Sequence, residues 1–252
     1  MKKDIKKRLG FRPQLKDIRD RLLMPLHGAD SLPPRVDLRF LCPPVLNQYE
    51  LGSCVANSIS SVFRFALRKQ KSRDFQPSRL FLYYNARALQ GWQAEDSGAY
   101  IRDGFKSLNR DGVCVESSWK YDIKKYSEKP PARTYKTAET HQAIEYQSVV
   151  QSLGQLKACL ADGFPFVAGI SVYESFVNVG KDGITPFPSV AENLIGGHAI
   201  YVCGYIDEKE QFICGNSWGK VWGDKGFFYL PYSYLTNQNL ASDFWCLKIV
   251  ES

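Results

Sequence analysis

At 252 residues, with 44% hydrophobic and 23% charged residues, the chain can bury a substantial core and is too ordinary in composition for a fibrous or disordered protein. No apolar run approaches the ~18 residues of a membrane span, and the charged start from Met1 to Gly10 has no apolar stretch behind it, so cytosolic synthesis is expected, with signal-independent export left open. The seven cysteines are odd in number and lack framework spacing, which suits buried thiols in a reducing compartment. No Cys/His group has zinc spacing, His27 and His141 stand alone, and neither a metal nor a cofactor is expected.

Most of the formal net charge of +7 lies at the front, where residues 1–30 hold nine Lys or Arg against four Asp, a net of +5. A basic stretch of this kind suits nucleic acid or an anionic membrane surface. Leu15, Ile18 and Leu22, however, follow Pro13 at helical spacing and suggest a short helix laid on something apolar, so no nucleic-acid partner is expected. Residues 1–31 form a basic N-terminal segment and residues 32–252 the main domain.

From Leu32 the chain is held extended by Pro33 and Pro34. The polar stretch from Asn47 to Ser53 then runs into Val55, Ala56, Ile59, Val62, Phe63 and Ala66, the apolar face of a helix from about Ser53 to Gln70. Cys54 therefore stands at a helix N-terminus, where unsatisfied N–H groups and the macrodipole favour a thiolate. Plain packing is the commoner fate of such a cysteine, so position alone does not assign it. Two further helices are expected over Pro77–Leu89 and Ala99–Asn109, closed by Gly91 and Gly112, with Asp96 or Ser97 suited to cap the second.

Tyr121 to Thr140 is polar, rich in Lys and Pro, and reads as a loop between the halves. After a short helix, Leu153–Ala161, come apolar and β-branched runs at Phe164–Tyr173, His198–Tyr205, Gln211–Gly215, Gly226–Leu230 and Phe244–Val250, the pattern of an antiparallel sheet or barrel. Helices followed by strands make an α+β chain, with a helical lobe over about 45–120 and a β-rich lobe over about 121–250. His198 follows Cys54 by 144 residues, and Asn216 follows His198 by 18. A thiolate nucleophile needs a base, and the base needs a group that holds its ring; Cys, His and Asn supply those types in that order.

At these residues the sequence resembles the papain family of cysteine peptidases, as a divergent member, from about Pro33 to Val250. Three blocks carry the resemblance: Gln48 six residues before Cys54; Gly197-His198-Ala199 opening a strand; and Asn216-Ser217-Trp218-Gly219 with Trp222-Gly223 and Gly226-Phe227. It implies a two-lobed fold with the active site in a cleft between helical and β lobes. It also implies Cys54 as nucleophile, His198 as general acid/base, Asn216 as the group orienting it and Gln48 as an oxyanion donor. Gly98, Gly197, Ala199 and Trp218 are the implied substrate-binding positions: Gly98 on a strand pairing with substrate backbone, Ala199 in the main specificity pocket, Trp218 also shielding the His–Asn bond.

Two positions depart from the family pattern. Leu51 stands where the signature has a cysteine, which removes half of a disulfide usual in secretory members, and Val55 replaces an aromatic residue. The resemblance further suggests residues 1–31 as an abbreviated inhibitory or docking segment, shorter than is usual, with a merely solvated tail as the alternative; if the segment is removed, the cut is expected between Asp30 and Arg35. The expected activity is hydrolysis of protein or peptide substrates. An endopeptidase is favoured, since no occluding insertion is visible. An acyl-transfer or isopeptidase enzyme on the same triad is the alternative. A non-catalytic binding protein is disfavoured, because Gln48, Cys54, His198 and Asn216 are all intact.

Overall fold

The apolar stripe behind Cys54 forms helix α1, Cys54–Lys69, in which all but the outward-facing Arg64, Arg68 and Lys69 are buried. In this computed structural model residues 5–28 and 31–251 are described; Lys2, Lys3, Asp4 and Asp30, with the Asp30 end of the expected cut, lie outside the described residues. Helix α2, Arg79–Ala88, starts where the Ser78 hydroxyl accepts the Phe81 N–H at 3.2 Å. Helix α3, Ile101–Asp111, stops at Gly112, whose φ of 68° suits glycine. These three helices pack on one another, and α1 lies on the sheet.

The strands are β1 Arg35–Asp37, β2 Ala143–Ser148, β3 Phe166–Tyr173, β4 Leu194–Ile206, β5 Gln211–Gly215, β6 Phe227–Pro231 and β7 Ala241–Val250. They form an antiparallel sheet in the order β2-β7-β3-β4-β5-β6, with β1 paired to β4. Strand periodicity divides the side chains between two cores. Val167, Ala199, Tyr201 and Cys203 join Ile59, Phe63, Phe81 and Phe105 of the helices. Phe166, Ala168, Ile170, Ile200 and Val202 face the opposite core with Leu156, Leu160 and Leu235. Each fully buried side chain of this size contributes about 2 kcal/mol of apolar transfer energy, and the alternation fixes the register on which His198 depends.

Three expectations are corrected. The stretch read as a loop holds helix α4, Ala132–Ala138, because Pro131 starts the turn with φ −60° and its carbonyl accepts the Thr134 hydroxyl at 2.6 Å. Strand β2 was not expected; it contains the charged Glu145 and lies at the sheet edge, where one apolar face suffices. No helix forms over Leu15 to Leu22: the Leu15 carbonyl is taken by Arg102 Nη2 at 3.0 Å, and Leu15 and Ile18 are 90% and 103% exposed. The remaining helices are α5 Leu153–Ala161, α6 Glu174–Val177 and α7 Tyr232–Thr236. Among the described residues no helix is long and apolar enough to cross a membrane, and all seven cysteines are free, six of them buried.

Candidate active site

Cys54 is the first residue of α1 and His198 lies near the start of β4's buried half, while Asn216 directly follows β5. Register pairs Tyr201 with Gly215, so the His198 and Asn216 side chains meet: Nε2 donates to Asn216 Oδ1 at 2.8 Å. The same Oδ1 accepts the Ser217 N–H at 2.7 Å. An amide oxygen only accepts, so the proton of the neutral imidazole sits on Nε2 and the lone pair on Nδ1. That Nδ1 is buried and makes no well-formed hydrogen bond among the described residues, although the Arg8 backbone lies close enough to act on the ring. Trp218 lies 4.9 Å from the His198 ring, centroid to centroid, with Phe176 edge-on to the tryptophan. Its rings touch His198, Phe176 and Trp222, so it covers the histidine.

Gln48 is fully buried and its amide is locked at both ends. Ser217 Oγ donates to Oε1 at 2.6 Å, and Nε2 donates to the Leu51 carbonyl at 2.8 Å. The second Nε2 proton goes to the Arg8 carbonyl at 2.9 Å. A peptide carbonyl of the N-terminal segment thus occupies the position where an amide N–H would stabilise an oxyanion.

The rest of that segment lies along the same cleft. Phe11 N donates to the Gly197 carbonyl at 3.1 Å, Ala99 N to the Gly10 carbonyl at 2.8 Å, and Arg12 N to the Ala99 carbonyl at 3.2 Å. The segment's backbone pairing at this wall falls on Ala99. The Gly98 N–H is taken by the Tyr83 hydroxyl at 3.1 Å, and Gly98, with φ 73°, keeps the space that Gly10 needs, since a Cβ there would meet the Gly10 oxygen at 2.2 Å. Gly10 is equally tight: a Cβ on it would stand 1.8 Å from the Gly52 carbonyl oxygen. Arg12 Nε reaches the Ser97 carbonyl at 2.5 Å and its guanidinium lies over Trp92.

The Phe11 ring fills an apolar recess. Gly169, missed in the sequence reading, forms its floor: a Cβ at Gly169 would lie 2.0 Å from Phe11 Cζ. Gly169 pairs with Ala199 across β3 and β4, and Ala199 belongs to the core cluster that holds Phe11. A glycine inside a strand was the available signal, since it marks a close approach by something else.

With the segment in place, Cys54 and His198 are both fully buried. Burial pushes the Cys54 thiol up to about 11, against backbone groups of Ala199, Gly10, Val55 and Cys54 itself that favour the thiolate. Burial also pulls His198 down to about 4, helped by the Arg8 guanidinium and opposed by the Asn216 bond. Thiol and neutral imidazole are the forms present around pH 7.

A carboxylate ties the nucleophile loop to the stretch at Gly98. Gly52 N donates to both oxygens of Asp96 at 3.1 and 3.2 Å, and the Tyr83 hydroxyl donates to Asp96 while accepting from Gly98 N. Asp96 is thus a brace and not the helix cap expected; α3 begins after Tyr100, which makes no side-chain cap.

A family model described as papain family cysteine protease matches residues 32–244. The crystal structure of xylellain, a cysteine protease from Xylella fastidiosa, is similar with a TM-score of 0.90 and 42% identity, covering 96% of each chain. A protein of Acanthamoeba polyphaga mimivirus described as an uncharacterized peptidase C1-like protein is 43% identical over 216 residues, 81% of this chain and 70% of its own length. Digestive procathepsin L 3 from the larval midgut of Tenebrio molitor, 19% identical, shares the fold with a TM-score of 0.76 over 98% of this chain and 79% of its own.

Proposed function

We propose that this chain, which belongs to the papain family of cysteine proteases, is held latent by its own residues 5–12 and, once they leave the cleft, cuts within polypeptides with Cys54 as nucleophile. Membership makes the chain a papain-like cysteine peptidase with a protein or peptide as substrate. The observation that carries the residue roles is the Arg8 carbonyl on Gln48 Nε2, a peptide carbonyl already seated beside the buried Cys54 and His198.

In the open cleft the Cys54 thiol passes its proton to His198 Nδ1, and Asn216 steadies the imidazolium through Nε2. The thiolate attacks the carbonyl carbon, and the electron pair moves onto the oxygen, where Gln48 Nε2–H and the Cys54 N–H receive it. Collapse expels the amine, which takes the imidazolium proton and leaves a thioester on Cys54. Neutral His198 then deprotonates a water, which breaks the thioester and releases the acid. Cutting inside a chain is supported by the cleft's length: it holds chain on both sides of Arg8, with Leu9 against Gly196 and Ile5 packed at the second core.

Latency is tested in the full chain with Gly10→Val and Phe11→Asp together, which sets a side chain against the Gly52 oxygen and a carboxylate in an apolar recess. This opened variant should hydrolyse an unstructured protein on the order of 100-fold faster than the parent, a shift that ~3 kcal/mol of lost closure produces. Equal rates would remove the latency reading. In the opened background, Gly169→Val should lower kcat/KM for peptides that place an aromatic ring in the recess roughly 10- to 100-fold relative to alanine peptides, measured on a peptide series.

The pH dependence of closure follows from Cys54. Its thiol is raised from 9.0 to about 11 in the closed form, whereas in the open cleft its proton passes to His198, so the open form gives up a proton first as pH rises and alkali favours opening. The ratio of full-chain to opened-variant activity should therefore rise above about pH 9. A ratio flat from about pH 7 to 11 would show that Cys54 does not sense closure.

A further inference from the structure

The N-terminal segment has two parts that attach to the protein in different ways. Residues 5–12 lie in the cleft. Residues 20–27 are built into the main domain: Leu23 is 2% exposed, in the core cluster with Val149, Leu156 and Phe244. Leu23 N donates to the Ser148 carbonyl and Ser148 N to the Arg21 carbonyl, both at 2.8 Å, so this stretch pairs beside the end of β2 in parallel. Asp20 is paired with Arg102 at 2.5 Å, with side chains 15% and 6% exposed. Past Leu23, the Asp162 carboxylate, whose side chain is 3% exposed, accepts from Leu26 N at 2.7 Å, His27 N at 3.2 Å and His27 Nδ1 at 2.5 Å.

Removing residues 20–27 would open a cavity at Leu23 and strip three donors from a buried carboxylate, two of the costlier injuries a fold can take. The stretch joining the two parts is of another kind. Leu15 and Ile18 are 90% and 103% exposed, the Arg19 side chain is 84% exposed, and Asp17 bonds locally, to Arg19 and to the Asp20 N–H.

We propose that the activating cut falls between Leu15 and Asp20, that a second, already active copy of this chain makes it, and that residues 20–27 remain on the working enzyme as part of its fold. The cut then lies well upstream of the boundary between Asp30 and Arg35 that the sequence suggests. Leu15 and Ile18 are apolar side chains of the class that the Phe11 recess accepts, each followed by a base, Lys16 or Arg19, and both stand clear of the surface. The reaction is hydrolysis: the peptide C–N bond breaks, water's hydroxyl goes to the carbonyl carbon and its proton to the new amine. The piece before the cut, then held by the cleft and by two further bonds, Gln14 N to Asp243 at 3.0 Å and Arg102 to the Leu15 carbonyl at 3.0 Å, can dissociate. The inference rests on the proposed peptidase activity and latency.

The test uses the full chain with Cys54→Ala as substrate for a trace of the opened variant, with trypsin as an independent probe of the same stretch, and reads products by intact mass. The expected product begins between Lys16 and Asp20 and melts within about 2 °C of the uncut chain. Leu23→Ala in the uncut chain should lower Tm by roughly 5–10 °C, and Leu26→Ala, at a side chain 89% exposed, should leave it unchanged. A first stable product beginning after His27, with Tm unchanged, would overturn the proposal, and so would Leu23→Ala without effect on Tm. Failure of latency reads differently: the wild-type chain clipped by trypsin at Lys16 or Arg19 would keep its stability and gain no Cys54 reactivity.

Discussion

Cys54→Ala in the opened variant is expected to lower peptide hydrolysis by on the order of 10⁶, leaving only what binding and the oxyanion donors provide. No other group can take over: the remaining thiols are Cys42, half-buried, and five that are buried in the cores, Cys114, Cys159, Cys203, Cys214 and Cys246. His198→Ala should cost about as much, because residues acting as one unit are not additive. Adding Cys54→Ala to His198→Ala should then cost little more. If the two losses multiplied instead, the residues would be acting independently, and the thiolate–imidazolium reading would fail.

Gln48→Ala, also in the opened variant, is expected to lower kcat by 10²–10³ with KM nearly unchanged, the size found when one oxyanion donor is lost. The side chain also braces Leu51 and Ser217, so a structural cause must be separated from a chemical one. Alkylation by iodoacetamide does this. It displaces iodide from a saturated carbon and builds no oxyanion, so a correctly placed Cys54 should be alkylated at the parent rate in Gln48→Ala. A parallel fall in alkylation and hydrolysis would assign Gln48 to architecture alone.

Much of this was legible in the sequence, for physical reasons that differ by element. The helices α1 to α3 and the strands β3 to β7 announce themselves by apolar period, since one face of each must be buried. Cys54, His198 and Asn216 stand out as the group types that thiolate chemistry calls for, in that order, and Gln48 through the family resemblance; the fold brings Gln48 and Asn216 to one wall through Ser217, which bonds to both.

What stayed hidden was set by tertiary contact. Leu15, Ile18 and Leu22 have helical spacing but no apolar surface to meet, and Arg102 claims a carbonyl that a helix would use. Residues 5–12 show no period at all: their place in the cleft depends on backbone approaches of Gly10 to Gly52 and Gly98, which a string of letters does not reveal. Leu51 read as the loss of a disulfide. The compensation lay 45 residues on, at Asp96, which a local reading takes for a helix cap. Pro131, read as a loop residue, starts a helix, a position where a missing N–H costs nothing.

On the proposed latency, residues 5–12 close a competent Cys54. The most direct measurement is covalent labelling by an epoxide that traps thiolates, followed by peptide mapping, on the full chain, the opened variant, and each with Cys54→Ala, all at pH 7. Labelling confined to Cys54, rapid in the opened variant and slow in the full chain, and absent from both Cys54→Ala controls, is the predicted result. Equal labelling of the full chain and the opened variant at Cys54, or labelling that persists without Cys54, would contradict it.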